Sequence, residues 1–247
     1  MRVTFKNSKG LRLIGILDLP KKENPPIIVF LHGLNGHKTY YKFINELAKE
    51  LPKQGFAVLR FDFNSHGESD SDWINFTRAS CTEDFKAAIK FLKTQKVDIK
   101  RLGVFTTSMG SIPFTLNSKP IKAAILHNAF ILSKSLRRWI EGYEDEIKER
   151  GHIEYKQAKT GRIIKWGISL MEESIHSNYD SKIKEVKCPT LLIYGKDFEK
   201  ETARETFETF RCKKELQVIP NMSHTDTTPK QREEITKLSV GWFKKYL

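Results

Sequence analysis

Five short apolar runs recur along this chain: Ile27–Leu31, Phe56–Phe61, Leu102–Phe105, Ile121–His127 and Pro189–Tyr194. Each is nearly unbroken, which marks a strand buried on both faces and therefore a parallel sheet. Between them lie stretches with helical spacing, over roughly 39–51, 80–95, 199–210 and 228–246. Phe43, Ile44, Leu47, Ala48 and Leu51 fall on one helix face, and Phe85, Ala88, Ile89 and Leu92 on another. Alternating strands and helices predict an α/β fold, a mostly parallel central sheet with helices on both faces. Two extended segments, 2–6 and 11–19, precede it and read as a hairpin about Asn7-Ser8-Lys9-Gly10. A further strand is expected at 214–219.

The 247 residues suit one large domain with an insertion. Residues 130–180 break the alternation. They are charged and helix-prone, with Trp139, Tyr143, Tyr155, Trp166 and Met171 set among the charges. A connection of that length needs structure of its own. It is expected to form a helical cap over the carboxyl ends of the strands, where α/β sheets bind ligands. The core then comprises 1–129 and 181–247.

The formal net charge is +13, but the lysines are spread along the chain and interleaved with glutamates. That describes a solvated surface rather than a nucleic-acid footprint. No apolar run is long enough to span a bilayer. The amino terminus reads as a strand, without a signal-peptide core. Three widely spaced cysteines, Cys81, Cys188 and Cys212, show no metal-ligand pattern and point to reduced thiols in a cytoplasmic protein.

The run Leu102–Phe105 breaks into Thr106-Thr107-Ser108-Met109-Gly110. A serine on a sharp turn between a buried strand and a helix is a nucleophile elbow. A hydroxyl is a poor nucleophile near neutrality and needs a base within reach. His224, in the loop between the 214–219 strand and the last helix, is the candidate. The base needs a carboxylate to hold its tautomer. Asp197, just past the strand ending at Tyr194, is the first choice, and Glu199 competes with it. The acyl-transfer oxyanion needs two backbone donors. The Met109 N–H is one, and the Leu34 N–H in His32-Gly33-Leu34-Asn35-Gly36 is the other. His66, in Asp62-Phe63-Asn64-Ser65-His66-Gly67-Glu68-Ser69, reads as a hydrogen-bonded loop residue. His37 and His127 have no partner pattern.

Taken together, the segments 32–38, 59–69, 106–110, 191–197 and the His224 loop resemble the α/β-hydrolase superfamily. The likeness is greatest to serine esterases of the cinnamoyl/feruloyl esterase and monoacylglycerol lipase type. The resemblance implies the α/β-hydrolase fold and a serine carboxylesterase with no metal or organic cofactor. Ser108 would be the nucleophile, His224 the base and Asp197 its orienter, with Leu34 and Met109 as donors. Trp139, Tyr143 and Trp166 would shape the pocket for small acyl or aryl esters. The expected partner is a small-molecule ester, not nucleic acid; a homodimer stays open. Three departures stand out: Thr106 replaces a family glycine, the loop carrying the acid looks shortened, and the helix after Ser108 is clipped, with Pro113 near its start. A thioesterase, peptidase or acyltransferase on the same residues remains an alternative, as does a non-catalytic ligand-binding protein of this fold.

Overall fold

The computed structural model describes residues 1–70, 73–156, 161, 163–195, 200–224 and 227–247. The opening hairpin is β1 (Arg2–Lys6) and β2 (Arg12–Asp18), paired antiparallel. The Asn7 side chain closes its turn by accepting the Lys9 and Leu11 N–H groups. Next come β3 (Pro26–Leu31), α1 (Lys42–Lys53), β4 (Ala57–Phe61), α2 (Ser80–Leu92) and β5 (Asp98–Thr107). They are followed by α3 (Ser111–Leu116) and β6 (Ala123–His127). α1 runs two residues past the expected stop, with Pro52 inside its last turn.

Residues beyond β6 form the insertion: α4 (Ser133–Ile140), α5 (Glu144–Arg150), β7 (His152–Lys156), β8 (Ile163–Gly167), α6 (Ile168–His176) and α7 (Tyr179–Glu185). It is mainly helical, as expected, but also holds an antiparallel pair, β7 with β8. Alternation explains that pair. Ile153 and Tyr155 face inward on β7, and Ile164 and Trp166 on β8, with Glu154 and Lys165 opposite each other. The core resumes with β9 (Thr190–Gly195), α8 (Lys200–Thr209), β10 (Lys214–Ile219) and α9 (Pro229–Tyr246).

The eight-stranded sheet has the order β1-β2-β4-β3-β5-β6-β9-β10. Every pairing from β4 to β10 is parallel. Strand residues alternate between two cores. Ile27, Val29 and Leu31 of β3 join Phe85, Leu92 and Ile112 on one face. Ile28 and Phe30 join Leu47, Leu51, Trp242 and Phe243 on the other. Both faces are therefore covered, which is why the inner strands β3, β4, β6 and β9 carry few polar residues.

Connectivity places the site. After β3 the chain moves to β4 on one side, then crosses to β5 on the other side of β3. The loops leaving β3 and β5 consequently part company at adjacent carboxyl ends. That divergence opens a crevice, the usual ligand position in open α/β sheets.

Candidate functional site

Ser108 follows β5 directly and has φ +48, a left-handed backbone rare outside glycine. A single 3₁₀ turn, Ser108–Gly110, then leads into α3. The turn is held from below. A Cβ on Gly110 would lie 2.2 Å from the Leu31 carbonyl oxygen, so only glycine lets the elbow rest on the end of β3. Thr106 is fully buried, and its Oγ1 lies 2.7 Å from Ser111 Oγ. The β-branched side chain is thus accommodated because its hydroxyl pairs with one in the first turn of α3.

The loop after β3 brings Gly33 against the elbow, where an added Cβ would lie 3.2 Å from that of Ser108. The Gly33 carbonyl accepts from His32 Nδ1 at 2.8 Å and from the Gly36 N–H at 3.0 Å. Because a trans peptide points N–H and C=O in opposite directions, fixing this carbonyl also fixes the Leu34 N–H. His32 Nε2 accepts the Phe63 N–H at 3.0 Å, so the proton sits on Nδ1 and the ring is neutral. Burial holds the His32 pKa well below its usual value, reinforced by the neighbouring His66. The Leu34 carbonyl lies 2.6 Å from His66 Nε2, and Asn64 O lies 2.8 Å from its Nδ1. His66 is therefore a hydrogen-bonded loop residue, as the sequence suggests. Burial lowers its pKa, while the two carbonyls oppose that shift.

Lys38 and Asp62 tie the same loop to the end of β4. Asp62 is fully buried and accepts from Lys38 Nζ and the Lys38 N–H, both at 2.6 Å, and from the Glu68 N–H at 2.9 Å. Lys38 also pairs with Glu68.

His224 arrives from the loop after β10. Gln231 of α9 anchors that loop through the Pro220 carbonyl at 2.9 Å. Gly195, ending β9, lets it approach, since a Cβ there would lie 1.9 Å from Met222 O. Burial lowers the His224 pKa, favouring the neutral imidazole a base requires. His127 lies behind it on β6, with Phe43 at 4.5 Å and Phe105 at 6.4 Å between ring centroids. Burial, and then the charge His224 would carry, push the His127 pKa down to about 3.

A cavity of about 270 Å³ is lined by Leu34, Asn35, Arg78, Ser108, Met109, Phe130, Trp139 and His224. Four residues expected at a reaction centre, Ser108, His224, Leu34 and Met109, thus share one space, together with Trp139 from α4. Tyr143 and Trp166 are not among the lining residues. They stand behind Trp139, with ring centroids 6.4 and 5.1 Å from it. Asp197 and Glu199 lie outside the described residues.

Two lining residues escaped the sequence reading. Phe130 opens the insertion, and its N–H reaches Ser108 O at 3.4 Å. Arg78 precedes α2 and is 1% exposed. Its guanidinium lies 5.0 Å from the Trp139 ring centroid, and Nη1 bonds Ser174 Oγ at 2.5 Å. Glu173 of α6 accepts the Arg78 and Ala79 N–H groups at 2.7 and 2.6 Å and the Tyr179 hydroxyl at 2.8 Å. Burial lowers the Arg78 pKa, and Glu173 opposes that.

Residues 22–142 match the serine aminopeptidase S33 family. An uncharacterized 31.7 kDa protein from the traX-finO intergenic region of Escherichia coli is 31% identical over 86 residues. That match takes in 34% of this chain and 29% of the relative, so the chain spans less than a third of that protein's length. The AB hydrolase superfamily protein YisY of Bacillus subtilis is 24% identical, with 72% of this chain and 78% of that protein covered. Among solved structures, Est1E from Butyrivibrio proteoclasticus with ferulic acid bound superposes with a TM-score of 0.84 at 18% identity, covering 99% of this chain and 98% of that one. The alpha/beta hydrolase GrgF from Penicillium sp. sh18 gives 0.80 at 18% identity, covering 100% and 98%.

Proposed function

We propose that this chain, which has the fold of the α/β-hydrolases, cleaves small carboxylic esters through an acyl-serine intermediate. Ser108 Oγ attacks the ester carbonyl while His224 takes its proton. The Leu34 and Met109 N–H groups hold the oxyanion. His224 then returns the proton to the leaving alcohol and later activates the water that frees Ser108. Asp197 is the proposed carboxylate behind His224, with Glu199 as the alternative. Residues 130–180 act as the cap, contributing Phe130 and Trp139 to the pocket.

The observation that carries this reading is the shared cavity, lined by Ser108 with its left-handed backbone together with His224, Leu34 and Met109. The likeness to Est1E with ferulic acid supports an acyl or aryl ester as substrate. The family match favours a second reading, an aminopeptidase. Such an enzyme needs an anionic group for its substrate's ammonium, and no carboxylate appears among the described lining residues. Arg78 would repel that ammonium.

Wild-type protein is expected to show a burst with p-nitrophenyl butyrate and to take a fluorophosphonate label on Ser108. Ser108→Ala and His224→Ala should each lose about 10⁴-fold or more in kcat. Unlabelled Ser108 together with no burst would sink the proposal.

A further inference from the structure

We infer that Arg78 is the recognition residue for a carboxylate on the substrate, so that the preferred ester carries a second, ionised carboxyl group. This rests on the serine hydrolase reading of the same cavity and narrows its substrate class.

Engagement of the guanidinium on one edge only is the first support. Nη1 is held by Ser174 at 2.5 Å and approaches Glu173 at 3.5 Å. Among the described residues, neither Nε nor Nη2 has a hydrogen-bond partner, although the residue is 1% exposed. Those two N–H groups form the side-on fork that matches a carboxylate's two oxygens. A substrate carboxylate would supply acceptors for both at once.

Pre-organisation is the second. The guanidinium carbon lies 5.0 Å from the Trp139 ring centroid, Nη1 is held by Ser174, and Trp166 supports Trp139. These contacts restrain the side chain before anything binds, which lowers the ordering cost of recognition.

Charge is the third. Arg78 is the one permanently charged group among the described lining residues. Glu173 does not cancel it by a forked pair, because its oxygens already accept two backbone N–H groups and the Tyr179 hydroxyl. A purely structural arginine, tying α6 to the start of α2, would not need to line the cavity that holds Ser108. In a space of about 270 Å³, the ester and the carboxylate must belong to one compact molecule.

Two matched pairs of esters test this. Monomethyl glutarate against methyl pentanoate places the charge on the acyl side. para-Acetoxybenzoate against its methyl ester places it on the leaving group. Wild type should favour the charged member of at least one pair by roughly tenfold or more in kcat/KM. Arg78→Gln should bring that ratio toward one, and Arg78→Lys should keep part of it. A ratio within one preparation does not depend on how much of a variant folds. If Arg78→Gln yields no folded protein, wild type decides: glutarate must shield Ser108 from a fluorophosphonate, and glutaramide must not. Equal shielding overturns the assignment. So does a preference for the neutral esters in both pairs, or a preference for the charged ones that survives Arg78→Gln. Those results leave serine hydrolysis standing, because the esters are still turned over. Failure of all four esters with no label on Ser108 removes the hydrolase reading, and this inference with it.

Discussion

Ser108 holds a backbone conformation that costs an L-residue about 1–2 kcal/mol, and its neighbours make that conformation unavoidable. Gly110 is the main restraint. Gly110→Ala would drive a methyl into the Leu31 carbonyl, so we expect a loss of about 3 kcal/mol or more, read by urea unfolding. A stability within half a kcal/mol of wild type would contradict that packing. The same scale governs pH. Burial lowers the His224 pKa, so the acid limb of kcat/KM should have its midpoint below the ordinary histidine value of about 6.5. A limb centred above 7 in a pH–rate profile would count against that environment. The turn carrying Ser108 was legible because an apolar strand breaks there into small residues; singling out its serine also needed the histidine loop downstream, since such a serine alone is usually a turn residue. Arg78 was not. A single arginine ahead of a helix reads as surface charge, and its side-chain partners lie in α6, at Glu173 and Ser174. Thr106 looked like a defect in the elbow, and only folding shows Ser111 meeting it.

At the level of elements, α6 is one of the places where the insertion is fastened to the core. Glu173 accepts the N–H groups at the start of α2 and sits beside buried Arg78. Glu173→Ala would leave that guanidinium without its counter-charge, at a cost of about 3–5 kcal/mol. Thermal unfolding of the variant should show a clear fall in Tm; an unchanged Tm would mean the junction is held by other contacts. The inner strands of the sheet could be read because burial on both faces writes nearly unbroken apolar runs. The β7–β8 pair was harder, since each strand is five residues long and two of the five are exposed. In such a strand the apolar alternation covers only two residues, too few to stand out from a helix-prone charged region.

At the scale of the whole molecule, five imidazoles among the described residues share one condition. His32, His37, His66, His127 and His224 are all pushed below the ordinary pKa, chiefly by burial. The unfolded chain binds their protons near pH 6.5, while the folded chain refuses them until lower pH. Below that value the unfolded state carries more protons, so stability falls as pH falls, by about 1.4 kcal/mol per pH unit for each group fully withheld. For His127 the window runs from about 6.5 down to about 3. His127→Leu should flatten the dependence of unfolding free energy on pH between 7 and 5 by about 2 kcal/mol, whatever it does to absolute stability. An unaltered slope would mean that His127 already carries a proton when folded. Acid consequently does more than silence a base at the reaction centre. Each molecule that opens near pH 5 draws hydrogen ions out of its buffer, so in a weakly buffered solution the act of unfolding makes the medium more alkaline.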